Sequence, residues 1–178
     1  MDRELIQRLV ALEWEFFQST RNEGGRAPCQ DDHETFWVMR TGQAMGWSEE
    51  MAAAWLSDLE AARTAGRNPV MEKYARMMAF TAPEAYVKLA HLLPPVEPEM
   101  EKLARALAGQ TVAWAEAAAQ RYPYLCASGR PIRSSADSAA VTSLETYCYG
   151  ELLTCRPETL RLFQRYYAEK ARRGENLY

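Results

Sequence analysis

Two carboxylates, one guanidinium and two amides stand where a helical repeat calls for apolar side chains. Advancing about 100° per residue, Glu13 falls inside the arc set by Ile6, Leu9, Val10, Trp14 and Phe17. Arg40 and Gln43 share a face with Phe36 and Trp47. Gln110 lies between Leu103, Leu107 and Trp114, and Glu151 sits in the stripe Leu144, Tyr147, Cys148, Leu152 and Cys155. A charge on such a face must find a partner, because water is removed from it. If these side chains converge, carboxylates held away from water can work as general acid and base or bind a cation. Arg40 can then clamp a substrate carboxylate or phosphate through two parallel N–H bonds. The plain structural alternative pairs Glu13 or Glu151 with Arg40 and leaves the amides to satisfy what remains.

Two loops carry further polar groups. The first runs Asn22-Glu23-Gly24-Gly25-Arg26 and on through Cys29-Gln30-Asp31-Asp32-His33-Glu34. Its glycines let the backbone turn sharply or approach a ligand closely. Asp31 and Glu34 also have the spacing of a helix capping box, as do Thr81 with Glu84 and Thr142 with Glu145. The second loop contains Gly129-Arg130-Pro131-Ile132-Arg133, inside an irregular stretch from 122 to 141. Loops of that length are uncommon within a compact domain and are often functional.

The elements that must hold these groups read as helices throughout. Periodicity predicts one over residues 3–20, then one from Asp31 or Asp32 to about Met45. Ser48 caps the next, which stops at Gly66; Asn68-Pro69 opens another, striped by Val70, Met71, Tyr74, Met77 and Met78. A short helix ends at Leu93, Pro94-Pro95 break the chain, and helices follow at about 97–121, 142–155 and from Pro157 to Gly174. No alternating strand pattern, repeat or low-complexity tract occurs. The expectation is an all-α, single-domain bundle of about seven or eight helices spanning 1–178.

Composition excludes several classes. A net charge of −3 argues against a nucleic-acid surface. The basic residues Arg161, Arg165, Lys170, Arg172 and Arg173 suit the C-terminal end of the last helix and read as a solvated face. No apolar run approaches the roughly 20 residues that span a bilayer. The opening MDRELIQRLV is charged rather than a secretion signal, and the four cysteines form no C-x-x-C pair. The chain is therefore expected in the cytoplasm, with reduced thiols. Only His33 and His91 are present, so a histidine-rich metal site is excluded; a divalent cation on carboxylates stays open, without support from histidine content. No phosphate-binding glycine loop, dinucleotide fingerprint or nucleophile elbow occurs. Arg26 and His33 have the Arg-x-x-x-x-x-x-His spacing of helical HEPN ribonucleases, a short pattern easily met by chance.

Several longer blocks are more specific. They are Glu13-Trp14-Glu15-x-Phe17, Asn22-Glu23-Gly24-Gly25-Arg26, Cys29-Gln30-Asp31-Asp32-x-Glu34-Thr35-Phe36, Glu72-Lys73-Tyr74-Ala75-Arg76-Met77-Met78, Thr81-Ala82-Pro83, Gly129-Arg130-Pro131-Ile132, and Glu145-Thr146-Tyr147 with Gly150-Glu151-Leu152. Together they resemble, over nearly the whole chain, a bacterial family catalogued as domain of unknown function 4125. The resemblance implies no activity. It implies an occasional neighbour of nucleotidyltransferase-like type, hence a substrate-binding or accessory role. The family has Trp where this chain has His33, which puts a catalytic or ligating role for His33 in doubt. Glu15 belongs to a family block although its helical phase points outward, so Glu13 and Glu15 both stand as candidates.

The resulting expectation is a small-molecule enzyme or binding protein with a cleft for an anionic polar metabolite. Its candidate catalytic groups are Glu15 (or Glu13), Asp31, Asp32 and Glu151. Its candidate substrate-binding groups are Arg26, Arg40, Tyr74, Arg130 and Tyr147. The alternative is a non-enzymatic helical accessory domain that docks onto a nucleotidyltransferase-like partner or onto a second copy of itself. A HEPN-like ribonuclease is the remote third reading.

Overall fold

The computed structural model describes residues 2–22 and 25–178; Glu23 and Gly24 of the first polar loop lie outside the described residues. The chain is all-α. Its helices are α1 Arg3–Ser19, α2 His33–Met45, α3 Glu49–Thr64, α4 Pro69–Thr81, α5 Pro83–Leu89, α6 Pro98–Arg121, α7 Pro123–Cys126, α8 Leu144–Leu152 and α9 Pro157–Arg172. Among the described residues the only extended pairing is one antiparallel bridge, Ser138 with Val141. None of these helices is long and apolar enough to cross a membrane. No disulfide links Cys29, Cys126, Cys148 and Cys155.

Local chemistry sets most helix ends. The side chains of Asp2 and Ser48 accept the amides of Glu4 and Met51, which starts α1 and α3. Gly66 takes the left-handed conformation, φ 68°, that lets the chain turn away after α3. Asn68 Oδ1 then accepts from Met71 N at 2.9 Å and opens α4. The three expected capping boxes do not form. Asp32, not Asp31, caps α2 by accepting from Thr35 N at 3.0 Å. Ser143, not Thr142, caps α8 through Thr146 N. α5 has Ala82 at its cap, with no side-chain bond, and relies on Pro83. In two of the three cases a residue one place later reaches the orphan amides, a shift that spacing alone does not resolve.

The chain divides into two compact units, residues 1–71 and 72–178, with the division inside α4. In the first unit α1 packs against α2 and α3. Its core includes Leu9, Val10, Met51, Ala52 and Leu59, all fully buried. In the second unit α6 packs against α8 and α9, around Ala104, Leu107, Val112, Ala115 and Leu160. The long connection after α6 is less irregular than expected, because it contains α7 and a single 3-10 turn, Ser134–Ala136.

Candidate functional site

The sequence-derived candidates fall in both units, and each unit is taken by itself. In the first, Glu13 is 1 % exposed. Arg40 Nε donates to its Oε2 at 2.7 Å, Arg40 Nη2 donates to its Oε1, and Trp55 Nε1 donates to Oε1 at 2.7 Å. This is a two-pronged ion pair with a third donor, all within the helices α1, α2 and α3. Gln43 accepts from Arg40 Nη1 at 2.7 Å from an exposed position, so it is not the inward amide that periodicity predicts. Arg40 thus turns its fork onto Glu13.

The remaining first-unit candidates also have structural partners. Glu15 is exposed and lies 3.7 Å from Arg63, as its outward phase implied. Arg26 Nε donates to Asp31 Oδ1 at 2.7 Å, while its Nη2 reaches Gln18 Oε1 at 2.5 Å and the Gln30 carbonyl at 2.7 Å. Gln30 is buried and ties the loop to α1, donating to the carbonyls of Phe17 and Thr20 at 2.8 and 3.1 Å. Asp32 holds its proton below the usual aspartate range, chiefly because the Thr35 amide donates to its carboxylate. The His33 ring stands edge-on to Trp14, 4.8 Å between centres.

The second unit brings four of the candidates together around one residue that periodicity did not select. Lys73 on α4 is 5 % exposed. Its Nζ donates to Tyr147 Oη at 2.7 Å and lies 3.6 Å from Glu151 Oε2. The same ammonium is 4.3 Å from the centre of the Tyr147 ring and 5.1 Å from that of Tyr74. The Arg130 guanidinium lies 4.7 Å from the Tyr147 ring centre and donates to the Thr142 carbonyl at 3.0 Å. Arg130 is exposed, Tyr74 and Tyr147 are half-buried and Glu151 is buried. A signal for Lys73 did exist, since it continues the Val70–Lys73–Met77 stripe and lies in a family-like block.

Packing explains how these groups meet. At Gly150 an added Cβ would stand 3.1 Å from both the Lys73 carbonyl and Met77 Cγ. The absent side chain therefore lets α8 lie directly on α4 and sets Glu151, the next residue, beside Lys73. The Arg130 loop is fastened to the start of α8 by Leu144 N to Pro131 O at 2.7 Å, Glu145 N to Ile132 O at 3.0 Å and Ser134 N to Glu145 Oε2 at 2.8 Å. Asp137 accepts from Ser143 N at 2.6 Å and from the Thr146 hydroxyl. Arg133 forks onto Glu116 at 2.6 and 2.7 Å, a bond that holds the Glu116 proton below its ordinary range. Burial raises the proton affinity of the Tyr178 phenol, and nearby Arg130 offsets part of that rise.

Chemically, the cluster presents an ammonium, a guanidinium and a phenol beside the Glu151 carboxylate. Among the described residues no three His, Cys, Asp or Glu side chains gather as a metal would require. No curated protein and no solved structure matches the chain. One family model does match, over residues 3–178, and its description is "Protein of unknown function (DUF4125)".

Proposed function

We propose, from the premise that the chain belongs to the DUF4125 family, that it is a small-molecule enzyme or binding protein whose second unit takes an anionic polar metabolite. The observation that carries this reading is the Lys73 ammonium, 5 % exposed, held between Tyr147 and Glu151 with Arg130 against the same Tyr147 ring. Removing a lysine head group from water is costly unless its charge is used. Glu151 offsets one cation, and Arg130 leaves a second, exposed one beside it. Two cations and a phenol of this kind suit a carboxylate- or phosphate-bearing ligand. Tyr74 and Tyr147 would supply aromatic walls, and Glu151 is the group placed to accept a proton if the site is catalytic. The first-unit candidates support this reading less, because Arg40, Arg26, Asp31 and Asp32 already have protein partners. A bacterial cytoplasmic setting fits the lack of disulfides.

The test is native mass spectrometry of the full chain after incubation with a small-molecule extract, run beside the Arg130→Ala and Glu151→Gln variants. Retention of an anionic compound by the unaltered chain, released on denaturation and lost from Arg130→Ala, is the expected result. Equal retention by Arg130→Ala would place the ligand elsewhere.

One observation favours the second reading, a helical accessory or interaction domain. Val38 and Met45 on α2 are 62 % and 65 % exposed and share one face, and Met39, 66 % exposed, lies about a third of a turn away. On that reading the chain associates with itself or a partner as concentration rises and retains no small molecule. A bare assembly larger than a monomer in the same spectra would support it.

A further inference from the structure

The anion-binding reading uses Lys73 as a charge, and its surroundings also suit it to making a bond. A lysine amine attacks a carbonyl carbon only after giving up a proton. A folded chain arranges this by taking the amine out of water and setting a base beside it. Lys73 meets both conditions: its side chain is 7 % exposed, and Glu151 Oε2 lies 3.6 Å from its Nζ. Separations between such groups are often long before substrate binds. A proton donor is also at hand. Tyr147 Oη accepts from Lys73 Nζ at 2.7 Å, so its own O–H points away from the amine, and among the described residues it donates to none. Arg130, exposed, lies 4.7 Å from the centre of the same ring. Nucleophile, base, acid and an exposed cation therefore gather in one cluster, drawn from α4, α8 and the loop before α8.

Resting on that reading, we propose that Lys73 forms a Schiff base with a small carbonyl compound that carries an anionic group, such as a 2-oxo acid. Glu151 and Tyr147 move the protons, and Arg130 holds the anionic group. The ammonium gives a proton to Glu151, and the Nζ lone pair attacks the carbonyl carbon; a C–N bond forms as the C=O π bond breaks. The oxygen takes the Tyr147 proton, and the phenolate recovers one from the nitrogen. Protonated Glu151 then gives its proton to the new hydroxyl, which departs as water while the nitrogen lone pair closes the C=N bond. The sum is ammonium plus carbonyl to iminium plus water, so the cation beside Glu151 is restored at the end. The iminium draws electrons from the neighbouring carbon and weakens the bonds there. The slight exposure of the Lys73 side chain keeps the substrate small.

The experiment incubates the full chain with sodium glyoxylate, or with neutral acetaldehyde, in the presence of sodium cyanoborohydride. The hydride reduces the iminium to a stable amine, which peptide mass mapping locates. Lys88 and Lys102, both exposed, are the internal references. A lysine that is only buried would be the slowest of the three. As a Schiff-base lysine, Lys73 should be the fastest with glyoxylate, by about tenfold or more, a lower bound on what positioned proton transfer contributes. Tyr147→Phe and Glu151→Gln should each remove most of that lead and leave Lys88 and Lys102 unchanged. Tyr147→Phe loses only a hydroxyl, so it tests the step even if Glu151→Gln fails to fold. Arg130→Ala should slow the reaction of Lys73 with glyoxylate but not with acetaldehyde. Labelling of Lys73 no faster than of Lys88 and Lys102 with either aldehyde would overturn the Schiff base, and retention of an anionic compound in the native spectra would still uphold the anion-binding reading. Fast labelling by both aldehydes, undiminished in Arg130→Ala, would uphold the Schiff base and overturn the anion-binding role of Arg130.

Discussion

Replacing Glu13 by Gln changes little in shape and much in energy. Glu13 is 1 % exposed and Arg40 8 % exposed. The carboxylate accepts from Arg40 Nε, Arg40 Nη2 and Trp55 Nε1. A glutamine keeps one acceptor oxygen, turns an NH2 toward an arginine donor and takes the Glu13 charge away from the buried guanidinium. Breaking a buried pair from one side costs about 3–5 kcal/mol, a large share of the ~5–15 kcal/mol that holds a typical protein folded. With a urea slope of about 2 kcal/mol per molar, the midpoint should fall by about 2 M. Tryptophan fluorescence is the suitable assay, because Trp14, Trp37, Trp47 and Trp55 all lie in the first unit. The double variant Glu13→Leu with Arg40→Met removes both charges and should recover most of the loss, since a buried pair replaced by apolar groups of similar size is often neutral. A cost below about 1 kcal/mol for Glu13→Gln, or double-variant losses that simply add, would refute the reasoning. The pair would then be incidental rather than the tie between α1 and α2.

Two further outcomes follow from the second unit. Gly150→Ala places a methyl 3.1 Å from the Lys73 carbonyl and Met77 Cγ; it should lower stability by about 1–3 kcal/mol by the cost of overpacking, seen as an earlier thermal midpoint, and weaken anion binding at the same time. In alkali, the phenols of Tyr149 and Tyr167 should titrate late. Burial pushes both up to about 12, and at Tyr149 the Glu101 carboxylate that accepts its hydroxyl adds to the rise. Because the folded chain holds these protons more tightly than the unfolded chain, their contribution is complete below pH 10 and is lost as pH rises toward 12. Tyr149→Phe and Tyr167→Phe should each flatten that decline in stability, measured by denaturation across the range, and an unchanged slope would contradict the assignment.

The helices were legible because what makes them is local. Apolar spacing gives the stripes, and Ser48, Gly66 and Pro69 mark ends by effects that act within one turn. The same locality explains the small errors: whether Asp31 or Asp32 caps α2 depends on a reach of one residue. Inward polar groups were also partly legible. Glu13, Arg40 and Glu151 are buried as their phases required, while Gln43 is exposed. Their partners were not legible, because pairing is decided between elements far apart in the chain. Glu13 and Glu151 were equal claimants for Arg40 in sequence. In the fold, Arg40 is bonded to Glu13, 27 residues away, and Glu151 is set beside Lys73. Lys73 itself was overlooked because a lysine on an apolar stripe can usually extend its head group to water. The close seating of α8 on α4 at Gly150 brings Tyr147, 74 residues from Lys73, within a hydrogen bond of that head group. Sequence determined which side chains would leave water; tertiary packing decided which charges they would meet.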